Sequence, residues 1–310
     1  MQLVYPNYYP RFHCIAGDCL HSCCVGWEID VDAEALKKYR SIGGELGEKL
    51  KKNISRGKTP HFQLTDGERC PFLNKDNLCD LIVFGGEELL CQICADHPRF
   101  RSFFSSRTEI GLGLCCEEAA RLILSQHEKV TFISEGEAEL LDRDEAALLA
   151  LRDELFALAQ DRSIPIAARE DAILHRVGAV LPNRSTREWA SFYLSLERMD
   201  EAWTALLQDA DDTDLTAFES DMRSRETEYE QLLCYFLYRH LSAALDDGDV
   251  AGKAAFAVLS TRFLRQLGAW QYRKTGRFTK DDQIDLARLY SAEIEYSQEN
   301  LDAMFDTASQ

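Results

Sequence analysis

The sequence predicts a mainly α protein: a loop-rich, metal-organised cysteine-cluster N-terminal domain followed by an all-α helical bundle. Three observations carry this. Ten of the eleven cysteines fall in the first 116 residues of the 310. Turn-forming residues punctuate that same stretch, whereas a helical period of apolar residues takes over from Glu117. The charge divides there too, with 14 Lys+Arg against 15 Asp+Glu up to residue 116 and 21 against 38 beyond it. The predicted division is a cysteine-rich metal-cluster domain over residues 1–127 and an acidic helical domain over residues 128–310.

Taken in order, turns are marked by Tyr9-Pro10, Ala16-Gly17-Asp18, Gly43-Gly44, Thr59-Pro60, Asp66-Gly67, Gly85-Gly86 and His97-Pro98. Between them, residues 33–52 read as one or two short helices with Asp32 as N-cap. Residues 108–114 read as a short strand running into Cys115-Cys116. Helices are then predicted over 117–127 and 137–162. Pro165 fits the first turn of the next, which Pro182 closes. Further helices are predicted over 185–207, 226–245, 253–267 and 280–305, giving a bundle of six to eight.

Composition bounds the function. Hydrophobic residues make up 45% of the chain, ordinary for a globular protein. No apolar run approaches a membrane span. The N-terminus has neither a basic nor an apolar leader region, so a reducing cytoplasmic location is expected. A net charge of −18 argues against nucleic acid and against anionic membrane surfaces. It is compatible with a basic partner or a lysine side chain, with the ordinary solvated charge of helix faces as the plainer account.

The cysteines form four blocks: Cys14, Cys19, Cys23 and Cys24 as C-x4-C-x3-C-C; Cys70 and Cys79; Cys91 and Cys94 as C-x2-C; and Cys115-Cys116. Their odd number and the expected compartment favour metal over disulfides. An iron–sulfur cluster takes four thiolates and structural zinc takes four Cys or His ligands, so both metals stay open. The chain lacks paired C-x2-C hooks, a C-x3-C-x2-C run and a ferredoxin run. His13, His21, His61 and His97 are possible nitrogen ligands, each more simply a structural histidine. Trp27 reads as a lid over the site, and Cys234 as a core thiol.

These residues resemble the flagellin lysine N-methylases. The resemblance is carried by Phe12-His13-Cys14 through Asp18-Cys19 to Cys23-Cys24-Val25-Gly26-Trp27, by Cys70-Pro71-Phe72-Leu73 with Leu78-Cys79, and by Cys94 with His97-Pro98-Arg99-Phe100. It continues in Gly113-Leu114-Cys115-Cys116-Glu117-Glu118 and in the tail from Tyr290 to Leu301. Glu117 stands where the family usually has proline, and Cys91 and Cys115 are additional. The resemblance implies Cys14, Cys19, Cys23, Cys24, Cys70, Cys79, Cys94 and Cys116 as metal ligands. It further implies a [4Fe–4S] cluster, with zinc as the alternative metal, S-adenosylmethionine as methyl donor, and flagellin or a similar lysine-bearing protein as substrate.

Lysine methylation is an in-line displacement that needs a neutral amine and a nearby proton acceptor. No G-x-G-x-x-G turn is present; Gly111-Leu112-Gly113 lacks the third glycine. Glu293, Ser297 and Asn300 share the apolar stripe of the predicted tail helix with Leu286, Leu289, Tyr290, Leu301 and Met304, while Glu295 falls on another face. The candidate catalytic residues are Glu293 and, from the tail motif, Glu295. Tyr290, Asn300, Tyr238 and Arg239 are the candidates for substrate or donor binding, with Tyr235 and His240 beside them and core packing as the plainer account. The alternatives are a non-enzymatic metal-chelating or redox protein whose helical domain binds a partner, and a zinc-stabilised interaction protein.

Overall fold

The computed structural model describes residues 2–137 and 139–308. The chain is mainly helical and forms two compact units that interleave in sequence. One comprises Met1–Phe12, Phe100–Cys115 and Ala119–Gln310; the other comprises His13–Arg99 and Cys116–Glu118. The single cut predicted after residue 127 therefore differs from these bounds, because the first twelve residues and the segment from Phe100 to Cys115 go with the helices.

The helical unit is organised on Val250–Thr275, a 26-residue helix with Asp249 accepting from the Gly252 amide at 2.8 Å and Gly276 ending it in the left-handed region. It is longer than the predicted 253–267, and the polar residues along it are paired. Lys253 reaches Asp247 at 2.8 Å, and Arg265 reaches Glu170 at 3.0 Å. The helices Thr227–His240, Gln298–Ala308 and Ile166–Val177 all pack on it, which explains its apolar character on several sides.

A sheet of four strands, among the described residues, belongs to this unit apart from Arg99. Gln2–Pro6 runs parallel to Arg107–Leu112, with Val4 opposite Glu109, and antiparallel to Phe132–Glu135, with Tyr5 opposite Ile133. Arg99–Phe103 lies at the edge. Only Arg107–Leu112 was anticipated, as 108–114. Tyr238 ties the sheet to the helices, donating to the carbonyls of Val4 at 3.2 Å and Ile110 at 3.1 Å.

The predicted 226–245 helix forms Thr227–His240, a 3-10 turn and Ala244–Asp247, and two further predicted helices are each broken in two. The 185–207 stretch forms Thr186–Leu194 and Glu201–Asp209, and the 280–305 stretch forms Lys280–Ile294 and Gln298–Ala308. The breaks stabilise each other. The Asn300 amide donates to the carbonyls of Glu197 and Glu293 at 2.8 Å each, and its oxygen accepts from the Glu197 amide at 3.0 Å. Glu293 accepts from the amides of Met199 at 3.0 Å and Asp200 at 2.6 Å. These bonds satisfy backbone groups that an unbroken helix would have satisfied internally.

The second unit has short helices, 3-10 turns and a two-residue ladder of Ile29–Asp30 with His61–Phe62. Asp32 caps Ala33–Ser41 as expected, accepting from Ala35 at 2.9 Å, and its other oxygen accepts from the Gln92 amide at 2.7 Å. It thereby fixes the start of the Cys91–Cys94 turn to the first helix. Ile29, Tyr39, Leu50, Phe62, Phe72 and Leu81 form an apolar core. No helix among the described residues is long and apolar enough to cross a membrane.

Candidate functional site

Nine of the eleven cysteines belong to the second unit: Cys14, Cys19, Cys23, Cys24, Cys70, Cys79, Cys91, Cys94 and Cys116. All are free thiols. Local contacts join them block by block. Gly26, with φ of 93°, turns the strand away after Cys24, while the Cys70 amide donates to the Cys24 carbonyl at 2.8 Å. Leu73 bridges back to Cys79, closing the second block on itself. Cys91 and Cys94, one turn apart, share a hydrogen bond at 3.4 Å.

Glu117 organises the first block. Its carboxylate accepts from the amides of Leu20 and His21 at 3.0 Å each and from the Cys19 thiol at 3.6 Å. The Trp27 indole donates to the Cys23 carbonyl at 2.7 Å, and its ring lies 6.3 Å from that of His97. Burial lowers the His97 pKa to about 4, which keeps the ring neutral, and its buried Nε2 has no hydrogen-bond partner.

Thiol acidity differs from one position to the next. Burial pushes Cys19 up to about 11 and Cys70 up to about 12. Hydrogen bonds from neighbouring thiols act the other way: Cys23 lowers Cys24 to about 7, and Cys94 lowers Cys91. The same hydrogen bonds raise Cys23 and Cys94, so these shifts alone favour no metal; it is the sulfur donor type that suits a soft one. Among the described residues, however, no three His, Cys, Asp or Glu side chains are set to hold a metal ion.

The helical unit holds a separate buried constellation around Glu295, whose side chain is wholly inaccessible. His240 Nε2 lies 2.5 Å from one carboxylate oxygen and Arg239 Nε 3.3 Å from it. The Tyr235 hydroxyl donates to the carboxylate at 2.9 Å, while itself accepting from Arg239 at 2.8 Å and from the Leu114 amide at 3.2 Å. Burial pushes the Glu295 carboxyl up, but the Arg239 charge and the His240 hydrogen bond outweigh it and hold the group below the usual carboxylate range. Burial keeps His240 neutral against the pull of Glu295. Arg239 leads outward, its guanidinium 5.0 Å from the ring centres of both Phe100 and Tyr296.

The structure brings together Glu295 and Arg239, and adds Tyr235 and His240 to them. Glu295 caps the helix Lys280–Ile294 with helical dihedrals and its amide still donates to the Ser291 carbonyl, so it lies on the other face as its period predicted; that face is buried too, with Arg288 and Ser291. The remaining candidates lie apart in polar networks of their own. Glu293 holds the amides of Met199 and Asp200, Asn300 holds the broken helices, and Tyr238 holds the sheet. The Tyr290 hydroxyl meets Ser260 at 2.8 Å and Tyr193 at 3.3 Å. Glu117 was not anticipated as a site residue, although its departure from the proline of the resembled motif marked it.

Comparison with known proteins places the helical part of the chain in a family. The model described as the FliB lysine N-methylase C-terminal domain matches residues 110–310. The lysine-N-methylase of Salmonella typhimurium (strain LT2) is 30% identical over 128 residues, covering 39% of this chain and 32% of that protein. The flagellar biosynthetic protein FliU of Salmonella muenchen is also 30% identical over 128 residues, covering 39% of this chain and 75% of its own length. The match thus takes in about a third of the lysine-N-methylase. No solved structure matches. Matched along more than half its length, the chain belongs to the FliB lysine N-methylase family.

Proposed function

We propose that this protein is a cytoplasmic lysine N-methyltransferase that moves a methyl group from S-adenosylmethionine to lysine side chains of flagellin or a similar filament protein. The observation that carries this reading is the buried Glu295–His240–Arg239–Tyr235 constellation inside the matched family domain. A fixed carboxylate beside a neutral imidazole is a pair able to accept a proton, which a lysine amine must lose to be methylated. Tyr235 and Arg239 hold the carboxylate in place, so its orientation costs nothing at the moment of reaction. The chain's net charge of −18 favours approach of a lysine-bearing partner.

The catalytic role is assigned to Glu295. Glu293, with its carboxylate engaged by two backbone amides, serves the framework. The residues named for donor binding do not fit that role as they stand. The polar atoms of Tyr290, Asn300 and Tyr238 are committed to protein partners. The thiols of the second unit fit a [4Fe–4S] cluster by their chemistry; when bound, it would supply a thiolate-held, redox-capable centre.

The test is anaerobic purification followed by incubation with S-adenosylmethionine and flagellin. Transfer of labelled methyl to flagellin lysines is expected from the wild-type chain. Absence of transfer from folded, metal-loaded protein overturns the enzymatic reading.

A further inference from the structure

The segment that joins the helices Ile166–Val177 and Thr186–Leu194 encloses a cavity of about 260 Å³ against the central helix Val250–Thr275. All of its lining belongs to the helical unit. The wall on the central helix is one face, with Leu259, Arg262, Phe263 and Gln266 at helical spacing. Asn183, Arg184 and Trp189 line it from the other side.

The local sequence fixes Arg184. Its amide donates to the Pro182 carbonyl at 3.0 Å, and Ser185 then opens the next helix in a capping box with Glu188. Trp189 and Phe192, one turn apart, take the flat side of the guanidinium, whose carbon lies 4.7 Å and 5.4 Å from their ring centres. Such stacking leaves the edge N–H donors of an arginine for another partner. Among the described residues those donors have no acceptor. Every other arginine of this unit that is not exposed is paired with a carboxylate. Acid is not scarce here, since residues 117–310 carry 38 Asp+Glu against 21 Lys+Arg.

The rest of the lining points the same way. The side-chain amides of Asn183 and Gln266 have no protein partner among the described residues. Arg262 is held by Glu170 at 2.9 Å and Asp171 at 2.6 Å, but no carboxylate lines the cavity itself. We infer that this cavity binds a small organic anion, whose carboxylate or phosphate group meets the Arg184 edge and the Asn183 and Gln266 amides while its apolar body lies along Leu259 and Phe263. The planar fork of arginine matches both oxoanions in two-point contact. An amino acid fits less well, because its ammonium would find no counter-charge in the lining. The volume falls below the about 300–1,000 Å³ of a cleft for a drug-sized molecule, so the occupant is small. The inference depends neither on methyl transfer nor on metal.

The experiment is calorimetric titration of the full-length protein, in a buffer free of carboxylate and phosphate, with benzoate, phenyl phosphate, benzamide and alanine. One-site binding of either anion is expected, with benzamide and alanine at least about tenfold weaker. Arg184→Gln, which removes the charge, and Gln266→Glu, which puts an opposing charge into the cavity and leaves the Arg184 stacking intact, should each weaken the anion about tenfold or more. Melting curves identify which variants are folded, and either one alone suffices. Benzamide binding as tightly as benzoate overturns the anion reading. Undiminished anion binding by a folded variant, or no anion binding by the wild-type chain, overturns the site.

Discussion

Glu295 and His240 meet at 2.5 Å in the interior of the helical unit, although 55 residues separate them in the chain. Glu295 caps the helix Lys280–Ile294 and His240 is the last residue of the helix Thr227–His240, so the contact joins the C-terminal ends of two helices. The carboxylate is then the shared acceptor for imidazole, guanidinium and phenol.

Replacing this carboxylate separates charge from shape. Glu295→Gln keeps the side-chain volume but leaves Arg239 as a buried cation without its counter-charge. Loss of one partner from a buried ion pair costs about 3–5 kcal/mol, and removal of a general base costs about 100-fold or more in rate. Thermal melting should therefore fall, and methyl transfer by the folded fraction should drop at least about 100-fold. Metal content should stay at the wild-type level. Normal transfer by Glu295→Gln would move the proton acceptor elsewhere.

Asn300→Ala provides the contrast. It removes the donor to two carbonyls and the acceptor of the Glu197 amide. Buried groups left unpaired cost about 1–3 kcal/mol each, so a loss of roughly 3 kcal/mol in urea unfolding is expected. Transfer per folded molecule should change little. A variant with wild-type stability and no activity would instead return Asn300 to the donor site.

The constellation also sets a pH dependence. The folded pKa of His240 is depressed, so the unfolded chain binds its proton first as pH falls. The stabilising contribution is complete above the unfolded value of about 6.5 and is lost as pH drops from there towards the folded value. Glu295 is also depressed; its contribution is present above about 4.3 and is lost below that as pH falls through its folded value. Melting temperature followed from pH 8 to 4 should decline below about 6.5. His240→Gln, which keeps a donor for Glu295 but does not titrate, should lessen that first decline, with the depressed His97 keeping its own share.

Much of this architecture was legible where a local interaction decides it. Asp32 announced the first helix because an N-cap acts within three residues, and Pro165 announced the helix Ile166–Val177, which it precedes as N-cap. The helix breaks were not legible. Asp200 and Ser297 sit within sequences whose apolar period continues, and partners about a hundred residues away, Glu293 and Glu197, fix the chain there. The strand Gln2–Pro6 was hidden for the same reason, since Gln2 pairs with Arg107. At the candidate site, Arg239 and Glu295 were both singled out; Glu295 was placed on a face other than the apolar stripe, and the burial of that face with Arg288 and Ser291 depends on tertiary packing that the period does not show.

Glu117 offers a test of the cysteine loop. Proline suits the first position of a helix, so Glu117→Pro should leave the helix Glu117–Leu124 intact. It removes the acceptor of the Leu20 and His21 amides and the partner of the Cys19 thiol. In metal-free protein, alkylation of Cys14 and Cys19 followed by mass spectrometry should quicken, with Cys70 and Cys91 unchanged in their apolar core. Equal acceleration at all four thiols would show that Glu117 supports the whole unit rather than the first block.

Metal removal should act unevenly. The sequence, with few long apolar runs before residue 116, suggested that this region depends on metal for its fold. The core of Ile29, Tyr39, Leu50, Phe62, Phe72 and Leu81 gives the helices Ala33–Ser41 and Gly44–Asn53 support of their own. The segments around Cys14–Cys24 and Cys70–Cys79 have little regular backbone pairing beyond isolated bridges, so thiol ligation would be their main restraint. After anaerobic chelation, hydrogen exchange should quicken about tenfold or more over residues 14–27 and 64–80 and change little over residues 33–53. The helix Val250–Thr275 should be unaffected. Loss of protection over 33–53 to the same extent would show that the metal, not the apolar core, holds those helices.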